Sequence, residues 1–355
     1  MVYDAEAKVI RVSYPFRDCA DVQPDNFRQV RKIQGNIEAR VYAEGLDEAY
    51  NIEMRRMIEA GAVRKLEKEE LRGHRGPVHY EPHFHVKNPE SSSTKLRIVA
   101  DSACKNMHSG KSFNDLISPV PNALNEITDV QLRWRMFPVS LVYDLSKAYH
   151  SLRTGYKELH LRRFLYRFSR EVEWEVYGYM VVAFGDVPAA LALELAKELV
   201  AESAQAVDAQ AATQLTRNSL VDDIGGVGTR VEVDRMRGRL SEEGYSGTIP
   251  KVLESCGFRA KALVASGSQE EAELEAVGGK FLGMAYDPTS DELILQPVPV
   301  IRMKVKRSKQ RRADNVPITE EWIEDLRAGR HQLTKRRVLA YVMSQYDPHG
   351  LREPV

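Results

Sequence analysis

Residues 140–145 read Ser-Leu-Val-Tyr-Asp-Leu, a run of aliphatic, β-branched and aromatic side chains that spells a buried strand yet carries a carboxylate, Asp144, next to its end. An ionised carboxylate is costly to bury unless a cation or several donors meet it, so this strand dictates part of its own surroundings. A second acidic feature can answer it. Asp222 and Asp223 are adjacent in Ser-Leu-Val-Asp-Asp-Ile-Gly-Gly, which reads as a hairpin tip whose glycines serve a tight turn. Taken alone, the acid pair also describes a solvated turn. The two descriptions differ in whether the fold brings the pair up to Asp144.

The rest of the chain supplies material for such a layer. Residues 30–71 are charged and helix-favouring, with Leu46, Ala49, Ile52, Met57 and Ile58 at roughly helical spacing, and predict one or two surface helices. Residues 84–87 and 96–100 read as two strands around the loop Asn-Pro-Glu-Ser-Ser-Ser-Thr, and 174–184 as another extended, buried stretch. Asp186 as N-cap, Pro188 in the first turn and the Ala/Leu/Glu/Lys-rich run after it predict a strong helix, its apolar run interrupted by Glu194, Lys197 and Glu198. Residues 281–286 and 292–296 flank Asp-Pro-Thr-Ser-Asp as a hairpin. Residues 302–312 hold seven basic residues in eleven and read as an exposed linker, followed by a last helix over 334–344.

Composition narrows the classes. Lys plus Arg and Asp plus Glu both number 51, so no global basic field exists and any nucleic-acid footprint must be local. A chain of 355 residues, 43% hydrophobic and 29% charged, with mean hydropathy −0.42, has room for about two domains and excludes a mainly disordered one. Three scattered cysteines make neither a disulfide framework nor a four-cysteine zinc site, which suits a reducing, cytoplasmic setting. No apolar run reaches membrane-spanning length, and the first residues lack a signal-peptide core.

One Asp on a strand and an Asp pair on a neighbouring hairpin tip are oxygen donors suited to two Mg²⁺ ions, which can activate a 3′-hydroxyl and stabilise leaving pyrophosphate. That chemistry is nucleotidyl transfer. In order along the chain, KLRIVADSACK with SFNDLISPVPNALNEI, LVYDLSKAYHSL, VVAFG, LVDDIGG, GFRAKALVASG, FLGMAYDPTSDEL and TKRRVLAYVMSQYDPHGL resemble the reverse transcriptase region of Bel-Pao retrotransposon polyproteins. DEAYNIEMRRMIEAGAVRKL and HYEPHFHVKNP resemble the stretch before that family's fingers.

The resemblance implies an α+β right-hand polymerase with an antiparallel palm sheet, acting as an RNA-directed DNA polymerase. It divides the chain into an N-terminal helical and pre-fingers segment over 1–94, interleaved fingers and palm over 95–300, and a basic linker with the start of a connection region over 301–355. Asp144, Asp222 and Asp223 match the family's metal-binding catalytic carboxylates. Tyr149 matches an aromatic gate under the incoming sugar, Lys95 and Arg97 a triphosphate-holding strand, Gly185 the element before the template helix, and Lys261 a triphosphate-side lysine. The implied partners are an RNA or DNA template with its primer, dNTPs, two Mg²⁺ and the rest of the polyprotein, in the cytoplasm or in virus-like particles. Leu220 stands where the family usually has Tyr, Ala100 where it often has Phe, and the stretch 185–188 is short, which puts efficiency in question and keeps a non-catalytic, nucleic-acid-binding relic as the alternative. With no thumb, ribonuclease H or integrase signature downstream, the sequence reads as a polyprotein fragment or truncated copy.

Three further features admit other readings. Asp101-Ser102-Ala103 after an apolar strand resembles an aspartic-peptidase triplet, in a context that the polymerase reading also explains. His74, His79, His83 and His85 fall within twelve residues, but their Pro-rich context points to a surface loop rather than to zinc. Between Gln131 and Glu175, nine Lys or Arg stand against five Asp or Glu with aromatics interleaved, and Arg162, Arg163 and Arg167 are expected to meet template phosphates.

Overall fold

The computed structural model describes residues 1–87, 96–241, 244–267, 280–294, 300–303, 314–330, 334–335, 338 and 341. Strand Val139–Leu145 lies second from one edge of a four-stranded antiparallel sheet, between Asp223–Gly228 and Ala260–Ala265, with Ser219–Leu220 outside Asp223–Gly228. Its alternation sorts the side chains. Leu141, Tyr143 and Leu145 enter the large core beneath helices Ala189–Gln205, Ala209–Arg217, Arg230–Arg237 and Thr248–Ser255, whereas Val142 faces Trp134, Phe281 and Tyr286 on the opposite side. Asp144 follows Val142 by two residues and so shares that second face.

The strong helix forms over Ala189–Gln205, but Asp186 does not cap it. Pro188 occupies the N-cap position, and Asp186 is buried, where it accepts hydrogen bonds from Tyr14 Oη (2.7 Å), Ser102 Oγ (2.9 Å) and Ala183 N (3.0 Å). The glycines after Asp223 are not turn residues either. They continue the strand, and a Cβ at Gly225 would stand 2.7 Å from Trp134 Cδ1 and 2.9 Å from Phe281 Cζ, so the smallness of Gly225 admits the ring layer packed on that face.

Residues 30–71 form more than surface helices. Helices Phe27–Ala43 and Asp47–Glu59 are followed by strand Val63–Lys65 and the short helix Lys68–Gly73, and Tyr50, Met54 and Met57 are buried. They pack with Val63, Phe164, Tyr166, Tyr177 and Tyr179 in a second core. Val63–Lys65 joins Glu175–Tyr179 and Arg163–Tyr166 in a three-stranded antiparallel sheet, and Val9–Val12 pairs with Leu152–Thr154. Val9–Val12 and Val63–Lys65 therefore share sheets with later segments. The expected strands at 84–87 and 96–100 form the hairpin His83–Lys87 and Leu96–Ala100, and the expected hairpin after residue 280 forms from Lys280–Phe281, Met284–Asp287 and Glu292–Ile294.

The architecture is thus a mixed α and β one of small, mainly antiparallel sheets. Arg302 lies in strand Val300–Met303, while the remaining basic residues of 302–312 lie outside the described residues, as does most of 334–344. Among the described residues no helix is long and apolar enough to cross a membrane.

Candidate active site

The ladder sets Asp223 directly opposite Asp144, and cross-strand Cα pairs of this kind stand roughly 4.5–5.5 Å apart. Leu220 and Asp223 close a hairpin whose two-residue turn is Val221 and Asp222. Val221 holds a φ of +54°, which costs a β-branched residue about 1–3 kcal/mol. Two side-chain groups oppose that strain from below: Glu194 Oε1 accepts the Val221 N–H at 2.8 Å, and Lys197 Nζ bonds both Glu194 Oε1 and Ser219 Oγ at 2.9 Å.

The three carboxylates do not share one environment. Asp144 and Asp222 line a cavity of about 440 Å³, into which Arg97 and Lys147 bring cations and Tyr149 and Phe184 bring rings. Asp223 is turned toward the hairpin over the sheet, where it accepts a hydrogen bond from the Leu282 backbone N–H. Burial first, then the charges of Asp222 and Asp144, push the Asp223 carboxyl up to about 7. Lys197 and the Leu282 N–H pull the other way.

Among the described residues no three His, Cys, Asp or Glu side chains are gathered as a metal cage. Asp144 and Asp222 nevertheless fit Mg²⁺, which is commonly held by one or two carboxylates and completes its shell with water and substrate phosphates. The donor set is all oxygen, and it borders that cavity.

Tyr149 lies in the 3₁₀ turn Ala148–Ser151, is 8% exposed, and meets Phe184 edge to face with centroids 4.8 Å apart. Burial, followed by the charge of Asp222, pushes its hydroxyl up to about 12. Arg97 is exposed on strand Leu96–Ala100 and makes no ion pair among the described residues. Gly185 sits one residue beyond the cavity ring Phe184, with φ +96° and its carbonyl accepting from Asn114 Nδ2 at 2.8 Å, and is not itself in the cavity wall. The backbone of Lys261 falls at the irregularity where Ala260–Ala265 pairs with Leu145 and Asp144; Lys95 lies outside the described residues. Sequence reasoning missed Phe184 and Lys147, although both lie within quoted motifs. It also missed Arg56 and Met57 as site residues, which line the cavity from helix Asp47–Glu59 and read in the sequence only as part of a surface helix.

Other expectations are corrected. Arg162 is fully buried between Glu81 (3.3 Å) and Asp186 (3.1 Å), Arg163 is 4% exposed and bonded to His160, and Arg167 pairs with Glu38 at 2.8 Å. The first two cannot meet phosphates, because their guanidiniums neutralise or cap groups inside the fold. His79 and His83 are buried, not on a surface loop, and burial lowers both to about 4. His83 is bonded to Tyr50 Oη at 2.5 Å and to the Leu165 carbonyl at 3.1 Å. Asp101-Ser102-Ala103 follows a two-stranded hairpin, and Ser102 is spent on Asp186, which is not the paired-aspartate arrangement of a peptidase.

No protein-family model and no curated protein matches the chain. Among solved structures it is similar to the foamy viral protease-reverse transcriptase dRH in complex with double-stranded DNA, at 14% identity and a TM-score of 0.39. That alignment covers 57% of this chain and 28% of the viral one. The Bel-Pao assignment has the motifs alone behind it.

Proposed function

We propose that this chain is the fingers-and-palm part of an RNA-directed DNA polymerase of the Bel-Pao retrotransposon type, joining a dNTP to a primer 3′-hydroxyl. One observation carries the reading: Asp144, on an inner strand of the four-stranded sheet, and Asp222, in the hairpin turn beside it, line one cavity whose other polar lining includes Arg97 and Lys147. Carboxylates and cations lining one cavity suit a ligand that brings both phosphates and divalent metal. Bound Mg²⁺ would supply activation of the hydroxyl and charge stabilisation on the phosphates. Asp144 and Asp222 would hold the ions in place.

The chain's own residues then have separable tasks. Arg97 and Lys147 neutralise the triphosphate and fix its orientation. Tyr149, braced by Phe184, presents a rigid ring to the sugar and excludes water from one side of the cavity. Asp223 acts behind the site, joining the sheet to the hairpin at Leu282. Template, primer, dNTPs and the rest of the polyprotein are the partners this reading requires, in the cytoplasm or in virus-like particles.

Extension of an oligo(dT) primer on poly(rA) by the purified chain with Mg²⁺ tests the proposal. Template-dependent addition of dTMP supports it. Primer-template binding without addition by a folded protein would point instead to a nucleic-acid-binding relic, and the absence of both would remove the nucleic-acid reading.

A further inference from the structure

Helix Ala189–Gln205 is built from small and aliphatic residues on its buried side, yet it sends Glu194 and Lys197 into the same core, 6% and 0% exposed. An ion pair in such a place is poor support for stability, since apolar residues of similar volume generally serve as well or better. Its contacts show where it acts. One oxygen, Glu194 Oε1, accepts both the Val221 N–H at 2.8 Å and Lys197 Nζ at 2.9 Å. Lys197 Nζ also reaches Ser219 Oγ at 2.9 Å, and Ser219 Oγ donates to the Leu215 carbonyl at 2.7 Å. The pair therefore grips the acid turn at Ser219 and at Val221, on either side of Leu220.

The gripped residue is the strained one. Val221 keeps a positive φ that β-branched residues rarely adopt, and Asp222 is the next residue in the chain. If Val221 relaxed to an extended conformation, the plane of the Val221–Asp222 peptide would rotate and Asp222 would leave the cavity it shares with Asp144.

We infer that Glu194 and Lys197 are positioning residues: a buried clamp that holds the Val221–Asp222 turn so that Asp222 projects beside Asp144. This rests on the polymerase reading for its catalytic consequence, but not for the clamp itself.

Two variants of the full chain separate the clamp from simple packing. Glu194→Gln keeps an Oε1 that can accept both hydrogen bonds while losing the charge. The double variant Glu194→Leu with Lys197→Met replaces the pair by apolar side chains and is expected to keep the fold. In chelated protein, hydrogen exchange at the Val221 amide should be protected in the parent and in Glu194→Gln, and faster by roughly tenfold or more in the double variant. In single-nucleotide incorporation the double variant should lose about 100-fold in kcat with KM for dNTP little changed, and Glu194→Gln should recover most of that loss. Unchanged Val221 exchange in the folded double variant, or equal loss in both variants, would overturn the clamp. If the parent adds no nucleotide at all, the polymerase reading fails, and the exchange measurement still decides the clamp alone.

Discussion

Replacing Asp223 by Asn should make the metal-free protein more stable at alkaline pH while leaving it nearly unchanged in acid. Asp223 is held opposite Asp144 and beside Asp222, and burial with those two charges raises its carboxyl from 3.8 to about 7. A carboxyl whose folded pKa is raised favours the protonated form in the native state. Its contribution is fully present below about pH 4 and is lost as pH rises through 7. A displacement of that size corresponds to roughly 4 kcal/mol lost across the window when no cation is bound. Asn cannot ionise and retains an oxygen for the Leu282 N–H, so Asp223→Asn should escape most of the loss. Thermal unfolding in chelator should show the variant melting about 5 °C higher at pH 8 and within about 1 °C of the parent at pH 4, from the usual unfolding entropy per residue. Mg²⁺ at pH 8 should narrow the gap by stabilising the parent more. Parallel pH profiles for the two proteins would refute the premise that Asp223 is buried among like charges.

Tyr149→Ala should raise ribonucleotide relative to deoxyribonucleotide incorporation, because a rigid ring beside the sugar clashes with a 2′-hydroxyl; an unchanged ratio of kcat/KM values in a folded variant would leave Tyr149 as packing. Gly225→Ala should cost about 1–3 kcal/mol in urea unfolding, since its Cβ would stand 2.7 Å from Trp134 Cδ1, and a neutral result would show that the ring layer yields freely. Arg162→Met should cost about 3–5 kcal/mol by leaving Glu81 and Asp186 facing each other, yet the salt dependence of primer-template affinity should not change. A salt slope smaller by about one would return Arg162 to the phosphates.

The parts legible in the sequence were those that local pattern determines. The apolar run at 140–145, the Ala- and Leu-rich helix after Pro188 and the hairpin around Asp-Pro-Thr-Ser-Asp each announce their period and their breaks, and each forms. Proximity of the acid turn to Asp144 was legible only through motif order, because the Asp223–Asp144 pairing spans 79 residues of chain. What local pattern misjudged were charges satisfied from afar. Arg162 in Arg-Arg-Phe-Leu-Tyr-Arg looks like a wet-face cation until Glu81 and Asp186 close on it. His83 likewise looks like loop until Tyr50 and the Leu165 carbonyl meet its two nitrogens. The glycines after Asp223 misled for the opposite reason: glycine signals close approach as readily as it signals a turn, and only Trp134 and Phe281 tell which.

In the proposed polymerase, Asp144 and Asp222 form the working carboxylate pair while Asp223 stands behind them. Single-turnover addition of one dNMP to a primed RNA template, measured for the parent and for Asp144→Asn, Asp222→Asn and Asp223→Asn under matched folded conditions, tests it most directly. Losses of about 1,000-fold or more are expected for Asp144→Asn and Asp222→Asn, with measurable residual addition by Asp223→Asn. Appreciable addition by Asp222→Asn, or equal and total loss in all three, would contradict this assignment.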